Sequence, residues 1–213
     1  MNAALSRDEL SLYFVSTRVR GLGGADIWVS RRASVDAAWG DPVNLGPSVN
    51  GPGIDASPVV SLDGHLLFFS SDRAGGLGSN DIDVARHADK NDDLAWGPAV
   101  NLGPDVNTPA FEAGGFYLQS GEDGSANFYF VRGPNTVALD IYVAAVTANG
   151  ETRGPAVPVT ELNDPDPAVT DDHRRCGLMA ARYSCIPTAP AGPAGTTCGR
   201  PRAAASTNPG HHR

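Results

Sequence analysis

The residues that could do chemistry cluster in one short stretch. Between Leu67 and Val84 the sequence reads L-F-F-S-S-D-R-A-G-G-L-G-S-N-D-I-D-V. Asp72 and Arg73 stand before a glycine-rich loop (Gly75, Gly76, Gly78), and Asp81 and Asp83 stand after it. Carboxylates beside a guanidinium could serve acid–base catalysis. Glycines whose N–H groups face one way could cradle a phosphate, and two aspartates two residues apart could contribute to a Ca²⁺ site. Each reading meets an obstacle. The G-x-x-x-x-G-K-[ST] pattern is absent, and no helix follows to hold an anion at its N-terminus. The loop resembles the calcium-binding G-G-x-G-x-D nonapeptide, but that device works by repetition every nine residues, and a hard cation needs several oxygen ligands at once. His65 and His87 have no partner at metal-ligand spacing. There is no G-x-S-x-G nucleophile elbow. Ser61-Leu62-Asp63-Gly64 matches part of the sialidase S-x-D-x-G-x-x-W box, with the glycine one residue early and no tryptophan following. No catalytic, cofactor or metal residue is therefore assigned.

The same stretch recurs, which shifts the argument from chemistry to architecture. An arginine precedes an aspartate by eight residues three times: Arg18 to Asp26, Arg73 to Asp81, Arg132 to Asp140. Gly40, Gly97 and Gly154 are spaced by 57 residues, and Trp39-Gly40 and Trp96-Gly97 both lead into a V-N-L-G-P run. Catalysis needs one site, whereas structure needs the same device in every copy. The arginine is accordingly expected to fold back across the glycine loop onto the aspartate or nearby carbonyls, pinning the turn by a charge-assisted bond.

The units read as four short strands each. In the second they are expected at 57–60, 65–70, 81–87 and 99–102, with Asp63-Gly64 as a hairpin turn. Gly76-Leu77-Gly78 supplies residues tolerant of positive φ, and prolines flank a fourth strand at an edge. Trp28, Trp39 and Trp96, with Phe68, Phe69, Phe128 and Phe130, are expected to pack between units. Four antiparallel strands at this period describe a propeller blade. S-x-D-G-x-x-L-x-F-x-S-x-R, the glycine loop, D-I-x-V and W-G-x-P-V-N-L-G-P together resemble the WD40-like β-propeller repeats of TolB-like proteins over about residues 5–173. Departures are Thr17 where the second unit has Asp72, Asp83 where Trp28 and Tyr142 stand, and the missing tryptophan of the third unit. The resemblance implies a periplasmic, outer-membrane-associated or secreted setting and a protein or cell-envelope partner.

The expected fold is all-β: a partial β-propeller of about three four-stranded antiparallel blades (5–50, 55–107 and 111–163), a truncated fourth from 164 to 173, and a disordered C-terminal tail over 174–213. Three blades are too few to close a ring that typically takes 4–8, so apolar blade faces are left for self-association. The expected function is a non-enzymatic binding or scaffold module, a fragment of a larger protein. The alternative is the propeller part of a hydrolase, glycosidase or peptidase, whose catalytic region lies elsewhere. A third is a decayed gene product without present function.

The bulk numbers fit this reading. Hydrophobic residues make up 41% and charged residues 19%, enough for a packed core. The net charge of −8 offers no basic stripe for nucleic acid. No apolar run is long enough for a membrane-spanning helix, and the first ten residues carry neither a basic n-region nor an apolar h-region, so no signal peptide is expected in this chain. All three cysteines (Cys176, Cys185, Cys198) lie in the last quarter and do not decide a redox compartment.

That last quarter breaks the pattern and has two readings. One is a low-complexity, disordered tail. The other is a shift of reading frame near Arg174-Arg175. Joining the last base of each codon to the first two of the next, Pro187 to Cys198 can read D-R-P-G-G-P-G-G-D-D-L-W, and Arg182 to Ile186 can read V-F-V-H-T.

Overall fold

The computed structural model describes residues 3–89, 92–120 and 125–171; the tail expected over 174–213 lies outside them. The described residues contain strands and turns and no helix. Twelve strands form three four-stranded antiparallel meanders. The first blade comprises β1 (Ala3–Leu5), β2 (Ser11–Ser16), β3 (Asp26–Arg31) and β4 (Val43–Asn44). The second comprises β5 (Asp55–Val60), β6 (Leu66–Ser71), β7 (Asp81–Arg86) and β8 (Val100–Asn101). The third comprises β9 (Phe111–Gln119), β10 (Ala126–Gly133), β11 (Asp140–Val146) and β12 (Val157–Pro158). The first strands approach one another, β1 against β5 and β5 against β9. They form the inner row of the arc.

The run L-L-F-F-S-S is buried throughout, where a strand with one wet face would alternate. Leu66 and Phe68 face the third blade, in a core with Phe128, Phe130 and Val106. Leu67 and Phe69 face the first, in a core with Tyr13, Ile27 and Val49. The middle blade is thus covered on both sides, and each fully buried Leu or Phe contributes about 2 kcal/mol. Phe68 stacks on Phe128 with ring centroids 4.6 Å apart.

The hairpin between the first two strands of a blade is closed by side chains as well as by its glycine. Ser61 Oγ donates to Asp63 Oδ1 at 2.6 Å, and the His65 N–H donates to the same carboxylate at 3.0 Å. Gly64 holds φ +71°; in the first blade Glu9 takes that position at φ 61°.

The inner strand β5 starts at Asp55, two residues before the expected 57, because the Asp55 N–H already donates to Ala25 O of the preceding blade at 2.8 Å. The fourth strand shrinks to Val100–Asn101. The tryptophans do not behave alike. Trp96 is 4% exposed, lies parallel on His87 at 4.0 Å and meets Tyr13 edge-on. Trp39, expected between blades, is 39% exposed; it stacks under the Arg32 guanidinium at 4.5 Å, the position His87 takes in the second blade. It has no second ring beside it among the described residues, which is why it stays half in solvent.

Candidate functional site

The repeat's arginine and aspartate do not pair with each other. Asp81 caps its own glycine loop: the Leu77 and Gly78 N–H groups donate to its two carboxylate oxygens at 2.6 and 2.9 Å, and Asn101 adds an amide donor at 2.9 Å. Asp26 does the same for Leu22 and Gly23, at 2.5 and 3.1 Å, with Asn44 at 3.0 Å. The third blade departs. Asn135 Oδ1 accepts the loop N–H groups of Val137 and Ala138 at 2.8 and 3.2 Å, while Asp140 begins β11, half-buried. The loop's glycines answer to close approach more than to φ. A Cβ on Gly78 would sit 2.1 Å from Ala110 O of the next blade's entry, and the positive φ of +94° falls on Gly75 instead.

Arg73 turns away from the loop, toward the inner end of its blade. Its Nη2 donates to Asp55 Oδ1 at 2.8 Å and to Val49 O of the preceding blade at 2.5 Å. Arg132 makes the matching pair, donating from Nε to Glu112 Oε1 at 2.9 Å and from Nη2 to Val106 O at 2.5 Å. Asp55, Glu112 and Asp171 are one position in successive units. Each is buried, and each donates its N–H to the blade before: to Ala25 O at 2.8 Å, Asn80 O at 2.9 Å and Leu139 O at 2.7 Å. Arg18 lies instead over the Phe14 and Trp28 rings at 5.1 and 4.9 Å, and its Nε donates to Ser16 Oγ at 2.9 Å.

A third device was missed in the sequence although an asparagine after an apolar residue closes each unit, at Val49-Asn50, Val106-Asn107 and Leu162-Asn163. Asn50, Asn107 and Asn163 each accept from and donate to the backbone of one isoleucine, Ile27, Ile82 and Ile141, at 2.8–3.1 Å. The repeated Asn was the available signal. Gly40 and Gly97 return their N–H groups to Arg31 O and Arg86 O at 2.7 and 2.8 Å, and Gly154 takes φ +149°.

Asp83 is the exception within this frame. In the other blades its position carries an aromatic ring against the arginine, as Tyr142 does under Arg132 at 4.4 Å. Here a carboxylate, 1% exposed, lies 2.9 Å from Arg73 Nε. That N–H points to Ser71 Oγ at 2.9 Å, so the Asp83 contact is a charge pair without a hydrogen bond. Burial pushes the Asp83 carboxyl up to about 6; Arg73 opposes this, and the nearby Asp55 and Asp81 add to it. Burial likewise raises Glu112.

A groove of about 380 Å³ lies between inner strands β5 and β9. Ser57, Ser79, Asn80 and Asp72 offer it hydroxyl, amide and carboxylate groups; Ile54 and Phe111 offer apolar faces. Asp72 is exposed and accepts the Ile54 N–H at 2.6 Å. Ser57 sits on a bulge of β5 at φ 53°, where the third blade has Gly114 at φ 66°. No His, Asp or Glu cluster suited to a metal occurs among the described residues.

No family model matches this chain, and no curated protein does. Solved structures do. An α-L-arabinofuranosidase from Lactobacillus brevis superposes with a TM-score of 0.52 at 13% identity, over 77% of this chain and 53% of that one. An α-L-arabinanase from Penicillium chrysogenum, complexed with arabinobiose, gives 0.52 at 16% identity, over 70% and 44%. TolB from Acinetobacter baumannii gives 0.35 at 12% identity, too low to carry the TolB-like assignment. The chain spans about half the length of the two glycosidases. The β-propeller fold stands. The expectation of a non-enzymatic module is corrected: two structures that share the fold with TM-scores above 0.5 are glycoside hydrolases.

Proposed function

We propose that the three blades are part of the propeller of a glycoside hydrolase, with the β5–β9 groove turned to the saccharide. The groove's lining supports this reading. A sugar presents hydroxyls around its rim and C–H groups on its faces. Ser57, Ser79, Asn80 and Asp72 match the first, and Phe111 and Ile54 match the second. Cleaving a glycosidic bond takes two carboxyl groups. Asp72 is the one the groove presents to solvent, while Asp55 and Glu112 are spent on the arginines. The second carboxyl is assigned to blades beyond the three described.

Titrating the protein with arabinobiose, followed by NMR line broadening and calorimetry, tests this. Binding weakened tenfold or more by Asp72→Asn and by Phe111→Ala, with melting unchanged in at least the first, is the expected result. Equal response to arabinobiose and to an unrelated disaccharide such as maltose, or binding indifferent to both substitutions, overturns it.

A further inference from the structure

The third blade has a second apolar face. Ala126, Phe128 and Phe130 of β10 pack toward the second blade. The alternate residues Tyr129 and Val131, with Ile141, form a cluster on the other side, flanked by half-buried Phe116, Leu118 and Leu139. No strand packs on that face among the described residues. Just beyond it, Asp171 occupies the position of Asp55 and Glu112: it is 4% exposed, its N–H is bonded to the preceding blade, and its Oδ2 accepts the Asp164 N–H at 2.6 Å. The other two acids each hold an arginine 18 or 20 residues on. No cation pairs with Asp171 among the described residues.

We propose that the occupant of this face is a fourth blade encoded by the same gene in the reading frame shifted by one base after about Asp172. The choice of third bases is narrow at several boundaries; some of them suit the repeat, whereas the boundary of Cys176 with Gly177 can read only Trp or Arg, at the place of Ser61. Methionine has the single codon ATG and alanine codons begin GC, so the boundary between Met179 and Ala180 must read GGC, glycine. The boundary of Arg182 with Tyr183 reads xTA, which is Leu, Ile or Val. Tyr183 with Ser184, for serine's TCN codons, gives Phe or Leu, and Ser184 with Cys185 gives Leu, Met or Val. Thr197 with Cys198 again gives Leu, Met or Val. Set Arg73 against the boundary of Thr188 with Ala189. The forced glycine then falls on Gly64, the three apolar residues on Leu67, Phe68 and Phe69, and the last on Ile82. These are the hairpin glycine, the doubly buried strand core and the residue clamped by Asn107.

The permitted bases extend the match. D-R-P-G-G-P-G-G-D-D-L-W lies on Asp72 to Asp83, D-R-A-G-G-L-G-S-N-D-I-D, with every loop glycine kept and tryptophan standing where Trp28 does in the first blade. The boundary of Pro209 with Gly210 can read TGG, tryptophan, 13 residues past the shifted aspartate, as Trp39 is 13 past Asp26. The shifted arginine is the guanidinium that Asp171 calls for, and the shifted strand core would pack on the half-buried Phe116, Leu118 and Leu139 that flank the buried Tyr129, Val131 and Ile141.

Sequencing the gene across codons 170–213 is the test, paired with expression of a chain restored by the one-base change. Thr188 must be ACC, to read CGC, and Thr196 must be ACG, to read GAC; any other third base at either codon overturns the proposal. The restored chain is expected to run as a monodisperse species and to melt about 5 °C or more above the unrestored one, the scale of a few kcal/mol in a chain this long. Matching codons with an unchanged melt would overturn the claim that this blade packs on the third blade's second face.

Discussion

Arg73 Nη2 holds Asp55 Oδ1 at 2.8 Å and Val49 O at 2.5 Å, so one guanidinium ties the start of its own blade's inner strand to the end of the blade before. Arg132 and Glu112 repeat the relation one blade on. The acid is buried and the arginine only partly so, with 27% and 16% of the Arg73 and Arg132 side chains exposed. A pair in that setting contributes chiefly by keeping a buried charge compensated; leaving the buried acid desolvated without its partner would cost about 3–5 kcal/mol.

Asp83 makes stability fall as pH rises. Its carboxyl titrates near 6 in the folded protein against 3.8 for the free group, so between roughly pH 4 and 6 the folded state binds the extra proton. Stability from this group is greatest below pH 4, declines through the window, and above pH 6 sits lower by on the order of 2–3 kcal/mol. Glu112 is shifted the same way. Asp83→Asn is expected to raise Tm at pH 7.5, to leave it nearly unchanged at pH 4.5, and to flatten the slope between. Urea denaturation at the two pH values reads this directly, and an equal effect at both would contradict it.

Asn107→Ala removes one donor and one acceptor from the Ile82 backbone, both buried. The expected loss is about 2–3 kcal/mol, two unmade bonds at a buried site. Asn107→Asp keeps the acceptor alone and should recover less than half. An alanine variant within about 0.5 kcal/mol of the parent would mean that Ile82 is held by its sheet partners without the clamp.

Ser57→Gly should stabilise the protein by about 1 kcal/mol, since a non-glycine residue at φ 53° carries that order of strain. Glycine's extra freedom in the unfolded chain opposes part of it. If arabinobiose binding falls while stability rises, the Ser57 hydroxyl belongs to the saccharide surface; unchanged binding assigns it to the bulge alone.

What the sequence made legible was whatever repeats. Blade count, meander order and the buried strand around Phe68 and Phe69 all follow from spacing, because each copy must satisfy the same packing. Partner choice was less legible. The eight-residue spacing of Arg73 and Asp81 suggested a bond between them, but the loop's own N–H groups are nearer donors for Asp81, and they leave the guanidinium to Asp55, 18 residues back. Trp39 and Trp96 look alike in sequence and differ in burial, because burial depends on which blade lies alongside. The groove was not legible at all: Ser57, Asp72, Ser79 and Phe111 come from two blades and share no motif.

The claim that the arginine joins blades, rather than closing its own loop, is tested most directly by two double-mutant cycles on chemical denaturation. Arg132→Met with Glu112→Gln is expected to show a coupling of about 2 kcal/mol or more, and Arg132→Met with Asp140→Asn a coupling within about 0.5 kcal/mol of zero. Strong coupling to Asp140 with none to Glu112 would contradict the account and return the arginine to the loop.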